Sequence, residues 1–226
     1  MQKINYLAIV PARKNSKRIK NKNLVKINNK ELVKFTIEAA KKVKKINKIV
    51  VTSDDKRILK IAKKLKTETI KRPKKLSTDS ASTEDAILHA YKHIAKKEMK
   101  KIVNIILLQP TSPLRNFKHI NQCINLFEKK GYNSIFSACK KKEFIWETEN
   151  NKIKSLSYDF KKRKNSQNLN DLSFENGAIY IFQTRGFLNF KNRLFGKIGI
   201  YYMEKINSID IDDMEDVNLV KQIMKL

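Results

Sequence analysis

The sequence is short of glycine, proline, cysteine, tryptophan and acid. Five glycines and four prolines in 226 residues exclude a collagen-like or Gly/Pro-rich disordered chain. Two cysteines, Cys123 and Cys139, cannot build a disulfide framework or a cysteine metal cluster, and they read as free thiols of a reducing compartment. No apolar run approaches the roughly 20 residues that span a bilayer. The first apolar run is strand-like with no cleavage pattern behind it, so no signal peptide and a cytoplasmic location are expected. Against 22 acidic residues stand 50 basic ones, a net charge of +28. Such a surface attracts polyanions without any dedicated site. The lysines are spread over the whole chain among an excess of Ile and Asn. The charge therefore reads as a compositional bias, not a nucleic-acid site, and no RNP-like or zinc-finger pattern is found.

What the sequence does contain is a rhythm of strand and helix. Continuous apolar runs at Ile4–Val10, Lys48–Thr52 and Ile102–Leu108 read as buried strands, joined by shorter ones at Glu68–Ile70 and Ser134–Ala138. Between them, Glu31–Lys45, Lys56–Lys66, a segment opening at Ser82, and Phe117–Lys130 have helical spacing. Ser82 with Asp85 three residues on forms a near-capping box. This alternation predicts an α/β fold: a mostly parallel, doubly wound, Rossmann-like sheet. The rhythm then breaks. Phe144–Glu149 and Lys152–Ser157 flank Asn150-Asn151, a hairpin-turn pair. A polar stretch, Tyr158–Ser173, follows. Strands resume at Ala178–Phe182 and Ile198–Met203, and a helix begins near Met214. Residues 1–226 are expected to form one domain with an inserted arm at about 140–173.

Polar clusters sit just after successive strands. Arg13, Asn15, Ser16, Lys17, Arg18, Lys22 and Asn23 follow the first, and Ser53 and Asp54 the second. Arg72, Asp79 and Ser82 follow the third; Gln109, Thr111, Ser112 and Arg115 follow the fourth. In an open α/β sheet, ligands bind beyond the carboxyl ends of the strands, so these groups are expected to meet in one crevice. The first loop suits a triphosphate. Arg presents a planar fork to phosphate oxygens and Lys a point charge. It is neither a Walker A loop nor GxGxxG. Near the C-terminus, Ile209–Asp213 reads as a strand, along which Asp210 and Asp212 alternate and would share a face. Side-by-side carboxylates repel unless a cation lies between them, and hard oxygen ligands suit Mg²⁺. Asp213 reads as the cap of the next helix. His89 and His93 lack the Glu of HExxH and read as ordinary helix residues.

Five ordered motifs, taken together, resemble the acylneuraminate cytidylyltransferases, the CMP-sialic acid synthetases. They are Ala12-Arg13…Ser16-Lys17…Lys22-Asn23; Arg72-Pro73…Leu76-Ser77…Asp79…Ala81-Ser82-Thr83; Leu107 through Arg115 (LLQPTSPLR); Glu175-Asn176-Gly177-Ala178-Ile179-Tyr180; and Ile209-Asp210-Ile211-Asp212. The resemblance implies that CTP and a nine-carbon sialic-type acid give a CMP-sugar and pyrophosphate, for cell-surface glycan synthesis. It implies Mg²⁺ held by Asp210 and Asp212, and a homodimer joined through the arm. Arg13, Asn15, Ser16, Lys22 and Asn23 would hold the CTP phosphates and ribose, with Asp79 among the nucleotide contacts, and Arg72 and Ser82 would lie beside the cytosine. Gln109, Thr111 and Asn176 would face the sugar acid. Arg13, Lys22 and Asp212 would carry the chemistry, with Asp212 assisting deprotonation of the attacking hydroxyl. Arg163 and Gln167 are also expected at the sugar, but one feature departs from the family: the Arg expected before Gln167 is Ser166 here, so either Arg163 or Lys164 substitutes for it, or substrate preference or rate differs. The same reaction on a legionaminic-type acid and a non-enzymatic polyanion-binding protein are the alternative readings.

Overall fold

A computed structural model describes residues 3–225. Seven strands form the central sheet: β1 (Lys3–Pro11), β4 (Lys48–Ser53), β5 (Glu68–Lys71), β6 (Lys101–Leu107), β7 (Ser134–Lys141), β10 (Leu172–Gln183) and β11 (Ile198–Tyr202). Their order is β11-β7-β10-β6-β1-β4-β5. All neighbouring pairs run parallel except those of β10, which is antiparallel to both β6 and β7. The expected mostly parallel α/β sheet is therefore present.

Successive side chains of β1 enter opposite cores, as a buried strand requires. Tyr6, Ala8 and Val10 pack in the core that holds Ile37 of α1 (Leu32–Lys41), Ile58 of α2 (Lys56–Lys64) and Ile124 of α4 (Phe117–Lys130). Leu7 and Ile9 pack on the other side with Ile87 and Ile94 of α3 (Thr83–Glu98) and Phe187 of α5 (Thr184–Phe190). Helices thus cover both faces, and the loops alone are left to carry chemistry at the strand ends. A third, smaller core joins α6 (Met214–Ile223) to the hairpin of β2 (Lys26–Ile27) and β3 (Lys30–Glu31) through Ile27, Leu32, Val217 and Val220.

Two Asn-Asn pairs turn hairpins. Asn150 and Asn151 have φ of 49° and 61° and join β8 (Trp146–Glu149) to β9 (Lys152–Ser155), as the sequence predicts. Asn28 and Asn29, with φ of 47° and 63°, do the same between β2 and β3. Both pairs adopt the left-handed conformation at consecutive residues that a type I′ turn needs. The arm stands apart from the main sheet. Trp146 packs on Tyr158 and Phe160 there, with ring centroids 5.8 and 5.6 Å apart.

Three boundaries differ from the sequence expectation. α1 ends at Lys41, four residues early, because Lys42–Ile46 turn back to bring Asn47 against Tyr6 in β1. β10 begins at Leu172, not Ala178, since its polar first half is paired with β7. Between Glu175 and Tyr180 the strand bulges, spanning the pairings to Ala138 and Phe136 with extra residues. Finally, Ile209–Asp213 is extended without belonging to a sheet; Ile211 N–H donates to the Thr111 carbonyl at 2.8 Å instead.

Candidate active site

The loop after β1 is held by its own polar groups. Asn23 Nδ2 donates to the Arg13 carbonyl at 2.9 Å, closing the loop on itself. Asn21 takes a left-handed conformation (φ 54°), and Arg57 Nη2 donates to its side-chain oxygen at 2.8 Å. Arg57 is in turn clamped by Asp55, the cap of α2. A 3₁₀ turn then buries Lys22 and Asn23. Lys22 Nζ donates to the Ile211 carbonyl at 2.6 Å and lies 3.3 Å from Asp212 Oδ1. Arg18 meets the other Asp212 oxygen at 2.8 Å. Both ends of the chain's candidate machinery are thereby tied together.

The loop before α3 faces this one. Arg13 Nη1 donates to Asp79 Oδ1 at 2.8 Å and to the Thr78 carbonyl at 3.1 Å. Arg72 is 6% exposed, and its Nε and Nη2 have no protein partner. Burial pushes its pKa down; Asp54 pulls the other way, and the nearby Arg13 adds a smaller downward push. Two guanidinium donors in such a place are poised for an acceptor that enters from outside. Ser82 caps α3 by accepting from Asp85 N at 3.0 Å, as expected.

These groups line one cavity of about 390 Å³. Arg13, Asn15, Ser16, Lys22, Asn23, Arg72, Asp79 and Ser82 are all in its wall, together with Gln109, Thr111 and Asp210. The convergence expected from four separate loops is thus present. A second, more open cavity of about 600 Å³ adjoins it, lined by Lys141, Glu175, Asn176, Tyr180, Lys205 and Ser208 among others. Asp210 lines both. Burial raises its pKa, the neighbouring Asp212 raises it further, and a hydrogen bond from Thr111 acts in the opposite sense. Its Oδ1 is buried with no donor. An orphaned carboxylate oxygen beside a second carboxylate is a fit for a divalent cation, which would relieve both costs. No third acidic, His or Cys ligand joins the pair among the described residues.

A family description, cytidylyltransferase, matches residues 7–226. The chain belongs to the cytidylyltransferase family. The N-acylneuraminate cytidylyltransferase of Escherichia coli is 33% identical over 97% of this chain, but the chain spans only about half, 52%, of that relative's length. The pseudaminic acid cytidylyltransferase of Campylobacter jejuni is 28% identical over 97% of this chain and 96% of its own. A solved CMP:2-keto-3-deoxy-manno-octonic acid synthetase complexed with CTP shares the fold, with a TM-score of 0.69 at 14% identity and 98% of each chain covered. The expected family and its sheet are therefore both found.

Two expected sugar residues are not brought to either cavity. Arg163 lies with its guanidinium 4.1 Å from the Phe144 ring centroid, in the arm. Gln167 is exposed, and its carbonyl accepts from Lys142 Nζ at 2.6 Å. A flexible cation in an aromatic-rich arm stacks locally, so position in the sequence is a poor guide to its target. Asn176 does line the second cavity, but its amide is already committed. Its oxygen accepts from Ser137 Oγ at 2.6 Å and Ala178 N at 3.2 Å, and its nitrogen donates to Ser208 Oγ at 2.9 Å. It staples the β10 bulge to the turn that leads into Asp210. Sequence reading assigned no role to Arg18, although it named the residue; the Asp212 contact needs the fold to bring residues 18 and 212 together.

Proposed function

We propose that the protein transfers the CMP group of CTP to a nine-carbon sialic-type acid and releases pyrophosphate. The observation that carries this reading is the shared wall. A cavity rich in Arg and Lys meets a second cavity at one buried carboxylate, Asp210. The first suits a triphosphate; the second leaves room for an acceptor next to it.

In this reading Arg13, Lys22 and Arg72 bind the nucleotide, and Asn15, Ser16, Asn23 and Ser82 shape the pocket around it. In-line attack of a sugar hydroxyl on the α-phosphorus needs positioning and charge neutralisation more than covalent catalysis. Fixed cations supply that where negative charge develops. Asp210 and Asp212 would hold Mg²⁺, which when bound neutralises phosphate charge. In the free chain Lys22 and Arg18 occupy both Asp212 oxygens. When phosphate draws these cations away, Asp212 is freed to accept the proton of the attacking hydroxyl. Gln109 and Thr111 would hold the sugar acid at the junction.

The arm exposes Ile153 (69%), Phe160 (55%) and Leu156 (52%). Apolar surface of this kind supports a homodimer joined there, in which Arg163 and Gln167 would serve the partner's cavity and not their own. The near full-length match to a pseudaminic acid enzyme favours a second reading in which another nonulosonic acid is the acceptor.

The test is pyrophosphate release with CTP, Mg²⁺ and N-acetylneuraminate, beside pseudaminic, legionaminic and 3-deoxy-octulosonic acids and the other three nucleoside triphosphates. Release that requires CTP, the metal and one nine-carbon acid is expected. No release with any acid, together with nucleic-acid binding that survives physiological salt, would overturn the reading in favour of a polyanion-binding protein.

A further inference from the structure

Behind Gln109 lies a charge that nothing in the protein balances. Arg115 is 1% exposed. No carboxylate lies within salt-bridge distance of it among the described residues. Its Nη2 donates to Thr36 Oγ1 at 2.6 Å and to the Gln109 carbonyl at 3.3 Å. Thr36 Oγ1 also donates to that carbonyl, at 3.4 Å. The remaining donors, Nε and Nη1, have no partner, and neither has the buried hydroxyl of Ser112. Burial alone pushes the Arg115 pKa down, to about 9, so the group stays charged at neutral pH.

A buried cation without a counter-ion carries a large desolvation cost. Hydrophobic residues of similar volume usually replace such groups without loss. Here the cation stands behind the carbonyl of Gln109, whose side chain lines the cavity. The bulge of β10 lies directly against that side chain: a Cβ on Gly177 would sit 2.6 Å from Gln109 Oε1. Gln109 is thus gripped from behind by Arg115 and in front by the bulge.

We propose that Arg115 is a positioning residue of the anion site: it fixes the Gln109–Thr111 wall from behind, and its charge is balanced when an anionic substrate fills the cavity. This rests on the reading of that cavity as a nucleotide site. The buried charge acts through the protein wall and is poorly screened by salt, unlike the exposed lysines.

The experiment compares wild type, Arg115→Met and Arg115→Lys by isothermal titration with CTP and Mg²⁺, melting without ligand, and steady-state kinetics. Arg115→Met is expected to melt no lower than wild type. Its CTP Kd should rise about tenfold, the scale of one charge acting across a wall of effective dielectric constant about 20. Arg115→Lys keeps the charge and should hold the CTP Kd within about threefold of wild type, but it loses the planar bridge to Thr36 and Gln109, so KM for the sugar acid rises. Equal CTP affinity in wild type and Arg115→Met would overturn the proposal, as would a Met variant that melts lower and binds CTP normally. Should the Met variant fail to fold, a Lys variant whose Kd rises as far as about tenfold would overturn it too. Failure of wild type itself to bind CTP would defeat the nucleotide reading, a separate outcome visible in the same titration.

Discussion

Asp79 Oδ1 lies 2.8 Å from Arg13 Nη1, inside the cavity where Arg13, Lys22 and Arg72 converge. A carboxylate there competes with phosphate for the same guanidinium. Both side chains are well exposed, so the pair itself adds little stability. Its effect is on ligand exchange. Asp79→Asn should lower the CTP Kd about threefold to tenfold at low ionic strength, with the gain fading as salt rises. Titration calorimetry at two salt concentrations checks this. Weaker binding in the variant would make Asp79 a nucleotide contact instead.

Asp210 carries a buried oxygen with no donor. Asp210→Asn removes an ionised group from a poor environment. Unfolding of the free variant should shift up by about 2–4 °C, the response of a chain this size to roughly 1 kcal/mol. Wild type should melt higher when MgCl₂ is added and the variant should not. Differential scanning fluorimetry with and without the metal reads both effects, and an equal metal shift in the two proteins would remove Asp210 from the metal site.

Gly177 has φ of +68° and no room for a Cβ against Gln109. Gly177→Ala should cost about 1–2 kcal/mol from the left-handed backbone alone. Turnover should suffer more than binding, with kcat/KM for the sugar acid down at least about tenfold while the CTP Kd moves by less than about threefold. Kinetics and calorimetry on one preparation separate the two. Unchanged kinetics would mean that the bulge does not set Gln109.

Asp55 gives a pH dependence with a definite sign. The hydrogen bond from Arg57 holds its carboxyl below the ordinary 3.8. As pH falls, the unfolded chain takes up the proton first, so the stabilisation is full above 3.8 and is lost as pH drops through the lower folded-state value. Asn can still cap the helix, so Asp55→Asn removes the charge and keeps the cap. Urea denaturation should show wild type more stable at pH 7, with the gap closing below pH of about 3. A gap that stays constant with pH would show that the ion pair is not its source.

The sheet was legible because buried parallel strands are continuous apolar runs, and Ile102–Leu108 or Lys48–Thr52 admit no other reading. The convergence of Arg13, Lys22, Arg72 and Gln109 on one cavity was legible too, since each cluster directly follows a strand end. Other features depend on contacts across long sequence distances. The first half of β10, Leu172–Asn176, alternates Leu-Ser-Phe-Glu over only four residues after a long polar stretch, too short a signal to stand out; its pairing with β7 makes it a strand. α5 is seven residues long and carries too little periodicity to stand out. The reach of Lys22 to Asp212 spans 190 residues of chain, beyond any local signal. The stacking of Arg163 on the Phe144 ring, within the arm, is likewise a contact that residue spacing does not signal.

The reversed direction of β10 has a consequence for how this architecture can change. A strand parallel to its neighbours would deliver its end to the ligand side, and anything inserted before it would emerge at the far side of the sheet. Because β10 runs the other way, its beginning opens beside the site, so the 30 residues between Lys141 and Leu172 enter and leave on that same side. The arm can lengthen, shorten or exchange its sequence without passing a single residue through the sheet. The mouth of the site can therefore be reshaped by grafting, while the strand ends that carry Arg13, Arg72 and Gln109 stay as they are.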